Sequence, residues 1–167
     1  MAQNAELLGL LEKGAQALHD SLDGVTEAAA SKSPGEGRWS ILECLEHVAM
    51  AEEAMLARLT SAVPAEHSQN VAREQAILTR GPDRGRRIQA PDGTLPLGRF
   101  PRVSAAMGYF LEHRAKTAAF VGDCPSDLRS LAATHPLLGP VNGYELVLLM
   151  AMHPVRHSAQ IREIRSS

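Results

Sequence analysis

Two histidines, His153 and His157, stand one helical turn apart in the stretch "MAMHPVRHSAQ", Met150 to Gln160. At this spacing two side chains share one face of a helix. Imidazoles so placed can aim their nitrogens at one point, and His-x-x-x-His is a recurrent metal-ligand spacing. The residues Leu146, Met150, His153, His157, Gln160 and Ile164 step by four and three alternately. That is the seam a helix turns into a bundle, so two imidazoles and an amide occupy positions where leucines ordinarily sit. A buried neutral histidine needs a partner on each ring nitrogen. Pro154 complicates the stretch, because proline inside a helix lacks the backbone donor and costs about 3 kcal/mol. The seam keeps its phase across residue 154, which predicts a continuous, kinked helix. Its Met150 carbonyl would lack an amide, and His153 would tilt relative to His157.

A third donor should come from another element, and His47 in "ECLEHVAMAE" is the best candidate. Its stripe of Cys44, His47, Ala51 and Ala54 is small and apolar, leaving an inward imidazole room for an ion. Three neutral imidazoles leave at least one coordination position open to water or substrate. Such an ion lowers the pKa of bound water to about 7, or activates a thiolate. Two further residues are candidates for the surroundings of the site. Glu43, one turn before His47, could orient that ring or cap its helix, and Gln160 continues the seam beyond His157. His113 and Arg114 compete for an inward position on a third helix, with Tyr109 close by. Cys44 reads either as a fourth ligand, which would close the site, or as a small buried hydrophobe. His135 in "HPLLGP" reads as part of a turn, His19 and His67 as surface residues, and Trp39 as a staple-type contact.

Four helical segments must position these residues. The first, about Asn4 to Ala29, carries Leu7, Leu8, Leu11, Ala15, Leu18 and Leu22 on one stripe and ends in "SKSPGEGR". The second opens on Ser40 with Glu43 three residues on, the pattern of a capping box, and should run to about Ala62. A long stretch from Pro64 to Pro101 reads as loop with a short helix around Glu66 to Thr79. Connections of this length are crossovers or functional covers. The third helix covers about Val103 to Val121. A second connection, with one helical turn near Leu128, leads to a fourth helix from the cap Asn142 to about Arg165. The expectation is an all-α four-helix bundle over residues 1–167, one domain, with a long crossover between helices two and three.

At 167 residues the chain can bury a core without staples. A net charge of −2 gives no case for nucleic acid or an anionic membrane, and the cluster "RGPDRGRR" reads as a solvated loop. The two cysteines form no Cys-x-x-Cys pair. The opening segment is an amphipathic helix rather than a signal peptide, and no apolar run approaches the ~20 residues of a membrane span. A soluble cytoplasmic protein is expected. A di-metal carboxylate bundle is disfavoured, because it needs Glu-x-x-His and no histidine here has Glu three residues before it.

"GRWSILECLEHVAMAEEAML" and "HPLLGPVNGYELVLLMAMHPVRHSAQIREIR" resemble the DinB-like superfamily of metal-dependent four-helix bundles, the likeness covering nearly the whole chain. The resemblance implies a metal triad of His47, His153 and His157, holding a divalent ion, commonly zinc or nickel. It also implies a homodimer and a small-molecule metalloenzyme: a transferase or isomerase using a low-molecular-weight thiol such as bacillithiol or mycothiol, or a hydrolase. Pro154 is not part of the family's motif. The competing expectation is a metal-binding module, structural or sensory, without turnover.

Overall fold

The computed structural model describes residues 2–166. Its four long helices are α1 (Ala2–Ser21), α3 (Ile41–Thr60), α5 (Val103–Asp123) and α6 (Gly143–Arg165). Two short helices, α2 (Glu27–Ala30) and α4 (Val71–Arg80), two single 3-10 turns (Asp92–Thr94 and Leu128–Ser130) and three strands, β1 (Val63–Pro64), β2 (Leu131–His135) and β3 (Gly139–Asn142), complete the described residues.

Two core clusters show how the long helices run. One gathers Leu7 and Leu11 of α1, Met55 and Leu59 of α3, Val121 of α5 and Leu146 to Met152 of α6. The other gathers Leu18 of α1, Ile41 to Ala49 of α3, Ala106 to Phe110 of α5 and Ile161 of α6. Thus α1 and α6 point one way, and α3 and α5 point the other. Each parallel pair packs side by side, and α3 also packs on α6 and α1 on α5. The link between α3 and α5 must therefore travel the whole length of the bundle. It does so through β1, α4 against α6, and the loop that follows.

Side-chain caps set where the site-bearing helices begin. The Ser40 hydroxyl accepts from the Glu43 amide at 3.2 Å, and the Glu43 carboxylate accepts from the Ser40 amide at 2.7 Å. Asn142 and Glu145 do the same for α6. Each box satisfies two amides that a helix start otherwise leaves orphaned.

Several boundaries differ from the sequence expectation. The first helix stops at Ser21 rather than Ala29: Gly24 turns the chain at φ +71°, and Thr26 caps the separate α2. The crossover helix starts at Val71, capped by Asn70, rather than at Glu66. The connection before α6 holds its turn at Leu128–Ser130 but otherwise forms β2 and β3, which had read as loop. These strands pair antiparallel from Ala132 with Asn142 to His135 with Gly139, and β1 adds to β2. "HPLLGP" is the hairpin turn, with Gly139 at φ +70°. Among the described residues no helix is long and apolar enough to cross a membrane.

Candidate metal centre

The first turns of α3 and the second half of α6 face each other, and His47, His153 and His157 meet there. His47 Nε2 lies 3.1 Å from His153 Nε2, which lies 3.2 Å from His157 Nε2. Among the described residues they form the one group of three or more His, Cys, Asp or Glu placed so that it could hold a metal ion. His47 and His157 are buried, whereas His153 is partly exposed.

The far side of two of the rings is tied down. His47 Nδ1 is 2.9 Å from the Thr94 carbonyl oxygen. A carbonyl can only accept, so Nδ1 carries the proton and Nε2 presents a lone pair. His157 Nδ1 is 2.9 Å from Gln160 Oε1, and Arg84 Nη1 donates to the same oxygen at 3.3 Å. The arginine fixes the amide's orientation, and with it the protonated nitrogen of His157. Hydrogen-bonded imidazoles of this kind typify metal sites.

Burial lowers the pKa of all three rings. At His47 the Thr94 carbonyl opposes it only in part. At His153 burial is joined by His157 and His47, and at His157 by His47, both rings falling well below the ordinary imidazole range. Neutral rings in this arrangement bring lone pairs face to face. One Nε2 proton on His153 can serve one neighbour, leaving the other close nitrogen pair uncompensated. A cation shared by all three resolves that conflict. Ligand nitrogens about 2.0–2.1 Å from one ion sit about 2.8 to 3.4 Å apart in octahedral or tetrahedral geometry, a range that includes the His47–His153 and His153–His157 spacings.

The remaining candidates fall outside the cluster. Glu43 is consumed by its cap at Ser40 and does not orient His47; Thr94 takes that role. Gln160 stands where the seam put it. Cys44 is buried but absent from the cluster, and burial pushes its thiol up to about 12. Of the two competitors on α5, Arg114 turns inward, while His113 stays half-buried against Tyr109, 4.3 Å between ring centroids. Trp39 packs on the His47 ring at 5.0 Å. His19 is exposed, His67 pairs with Asp127 at 3.0 Å, and His135 accepts the Leu137 amide within the hairpin.

Beside His47, the buried Glu46 carboxylate accepts the amides of Leu97, Gly98 and Arg99 and the Arg99 guanidinium, at 2.7 to 3.1 Å. Burial alone would raise this carboxyl; those donors hold it below the usual carboxylate range. The basic loop is exposed at Asp83, Arg86 and Arg87, as expected, and is also strapped to α6. Arg156 donates to the Asp83 and Arg86 carbonyls, and Arg84 pairs with Glu163 at 3.0 Å. Two surface cavities, about 390 and 370 Å³, lie elsewhere, beside Ile41 and Ile164 and between α3 and the hairpin.

The fold and site together define a helical bundle with three histidines converging from its second and last long helices. The sequence matches the DinB superfamily over residues 10–161, and the chain belongs to that superfamily. Among solved structures it is similar to YfiT from Bacillus subtilis, with a TM-score of 0.63 and 15% identity. The likeness covers 99% of this chain and 87% of that one. YfiT is described as "a probable metal-dependent hydrolase with an unusual four-helix bundle topology". No curated protein matches the chain in sequence.

Proposed function

We propose that the protein binds one divalent cation through His47, His153 and His157 and uses it to hydrolyse or transfer a group on a small molecule. The observation that carries this reading is the meeting of three Nε2 atoms, two of them with the opposite nitrogen held in N–H···O bonds. An all-imidazole donor set suits zinc or nickel. When bound, such an ion supplies a polarised water or a stabilised thiolate.

The chain's own residues hold the donors neutral and aimed. His153 is the least buried of the three residues, and among the described residues no fourth His, Cys, Asp or Glu joins the cluster, Cys44 included. Both features favour an open site. The hydrolase direction follows what is said of YfiT. The thiol-dependent alternative, with a bacillithiol-like co-substrate, follows the family. A second reading, a metal module without turnover, draws on the burial of His47 and His157.

The test compares metal-loaded and chelated protein on activated esters, amides and low-molecular-weight thiol acceptors. Turnover that needs metal and disappears in His153→Ala supports the enzyme. Full metal occupancy with no turnover across the panel favours the module.

A further inference from the structure

Helix α6 runs unbroken from Gly143 to Arg165 with Pro154 inside it. Proline has no N–H to offer the carbonyl four residues back, yet the Met150 carbonyl has a donor. Arg114, from the middle of α5, places Nη2 at 2.8 Å from it. The same guanidinium donates to the Glu52 carboxylate at 3.0 and 2.7 Å and to the Leu11 carbonyl at 2.9 Å. Thr117 adds a bond to Glu52 at 2.8 Å. One buried cation thus touches all four long helices.

A second adaptation lies on α1. A Cβ at Gly14 would stand 2.4 Å from the Ala151 carbonyl oxygen and 3.1 Å from Pro154 Cγ. Only glycine leaves space for that turn of α6. Two neighbouring helices are therefore shaped to the segment from Met150 to Pro154, one supplying a donor and the other room. A buried ion pair is by itself weak evidence for stability. Donation to a carbonyl whose partner four residues on has no N–H is a specific task, which an apolar side chain cannot perform.

We infer that Arg114 is a positioning residue for the histidines. It stands in for the amide that Pro154 lacks and holds the turn from Met150 to Pro154. Through that turn it sets the aim of His153 against His157. Through Glu52, which follows His47 on α3, it ties the turn to the third ring. The inference rests on the metal-binding reading above.

The experiment is a cobalt(II) titration of the full chain, reading affinity and the visible ligand-field bands, with urea unfolding of the metal-free protein alongside. The variants are Pro154→Ala, Arg114→Lys and the two combined. Arg114→Lys keeps a charge beside Glu52 but replaces the planar fork by one ammonium. Each single change is expected to weaken cobalt about tenfold, the low end for residues that support metal ligands, and to shift the bands. The double variant should lose less than the product of the two single losses, because the alanine amide introduced by Pro154→Ala then serves the Met150 carbonyl and Arg114→Lys costs only its tie to Glu52. Unchanged affinity and bands in Pro154→Ala, or losses that multiply in the double variant, overturn the inference. If Arg114→Lys does not fold, Pro154→Ala decides alone. Failure of the wild type to bind cobalt defeats the metal reading and the inference together, whereas a wild type that binds beside an unaltered Pro154→Ala defeats the inference alone.

Discussion

His47 Nδ1 stands 2.9 Å from the carbonyl oxygen of Thr94, 47 residues along the chain. Its neighbour Glu46 receives three consecutive amides, Leu97 to Arg99, from the same loop. Two adjacent residues of α3 therefore do complementary work: the carboxylate anchors the loop, and the anchored loop presents the carbonyl that fixes the imidazole tautomer.

Glu46→Gln should loosen that anchor, since an amide accepts through one oxygen and returns no charge to Arg99. Metal affinity is expected to fall about tenfold, as for other residues that support a ligand, with faster amide exchange at residues 97–99. Competition with a chromophoric chelator measures the first, and hydrogen exchange the second. Unaltered affinity beside quickened exchange would show that the loop does not govern His47.

Much of this site was legible in the residues because helical periodicity is a strong signal. His153 and His157 had to share a face once Leu146, Met150 and Ile164 did, and the small stripe around His47 marked an inward ring. Thr94 was not legible, for it acts through a backbone carbonyl that any residue carries. Arg114 and Glu52 left a fainter sign: each interrupts an apolar stripe, Phe110 to Val121 on α5 and Leu45 to Leu59 on α3, with a charge. Only coordinates show that the two charges meet. The strands β2 and β3 were missed because four or five residues with two prolines nearby carry almost no alternation. The break after Ser21 was missed because the alanines beyond Gly24 extend the helical pattern.

Gly14→Ala tests the close approach of α1 to α6. A methyl 2.4 Å from a backbone oxygen forces the helices apart, and overpacking of this kind costs about 1–3 kcal/mol. The gain in helix propensity returns at most about 1 kcal/mol. A lowered urea midpoint with an unchanged slope is expected. A more stable variant would mean that α1 can yield without cost.

The metal-free protein should lose stability as the solution is acidified. Burial depresses the three rings in the folded state, while in the unfolded chain they titrate near about pH 6.5. Below that value the unfolded state binds more protons, so folding weakens as pH falls from about 6.5 toward the depressed values; above about 7 these groups contribute no slope. Protons compete with metal in the same direction. Urea midpoints between about pH 7.5 and 5.5 should decline in the wild type and decline less in a His153→Ala, His157→Ala variant. Equal declines would place the proton uptake elsewhere.

Cys44→Ala should leave metal stoichiometry untouched. The thiol is buried, pushed up to about 12, and apart from the histidine cluster. The change removes one buried atom, at a cost of about 1 kcal/mol in the core. Loss of metal from this variant would make the sulfur a ligand and the site closed.

Elemental analysis of the purified, dialysed chain beside the His153→Ala, His157→Ala variant bears most directly on the central claim. One equivalent of zinc or nickel per wild-type chain, and none in the variant, is the predicted result. A wild type devoid of metal after growth and dialysis with zinc and nickel supplied, or a variant that retains its full equivalent, would contradict it.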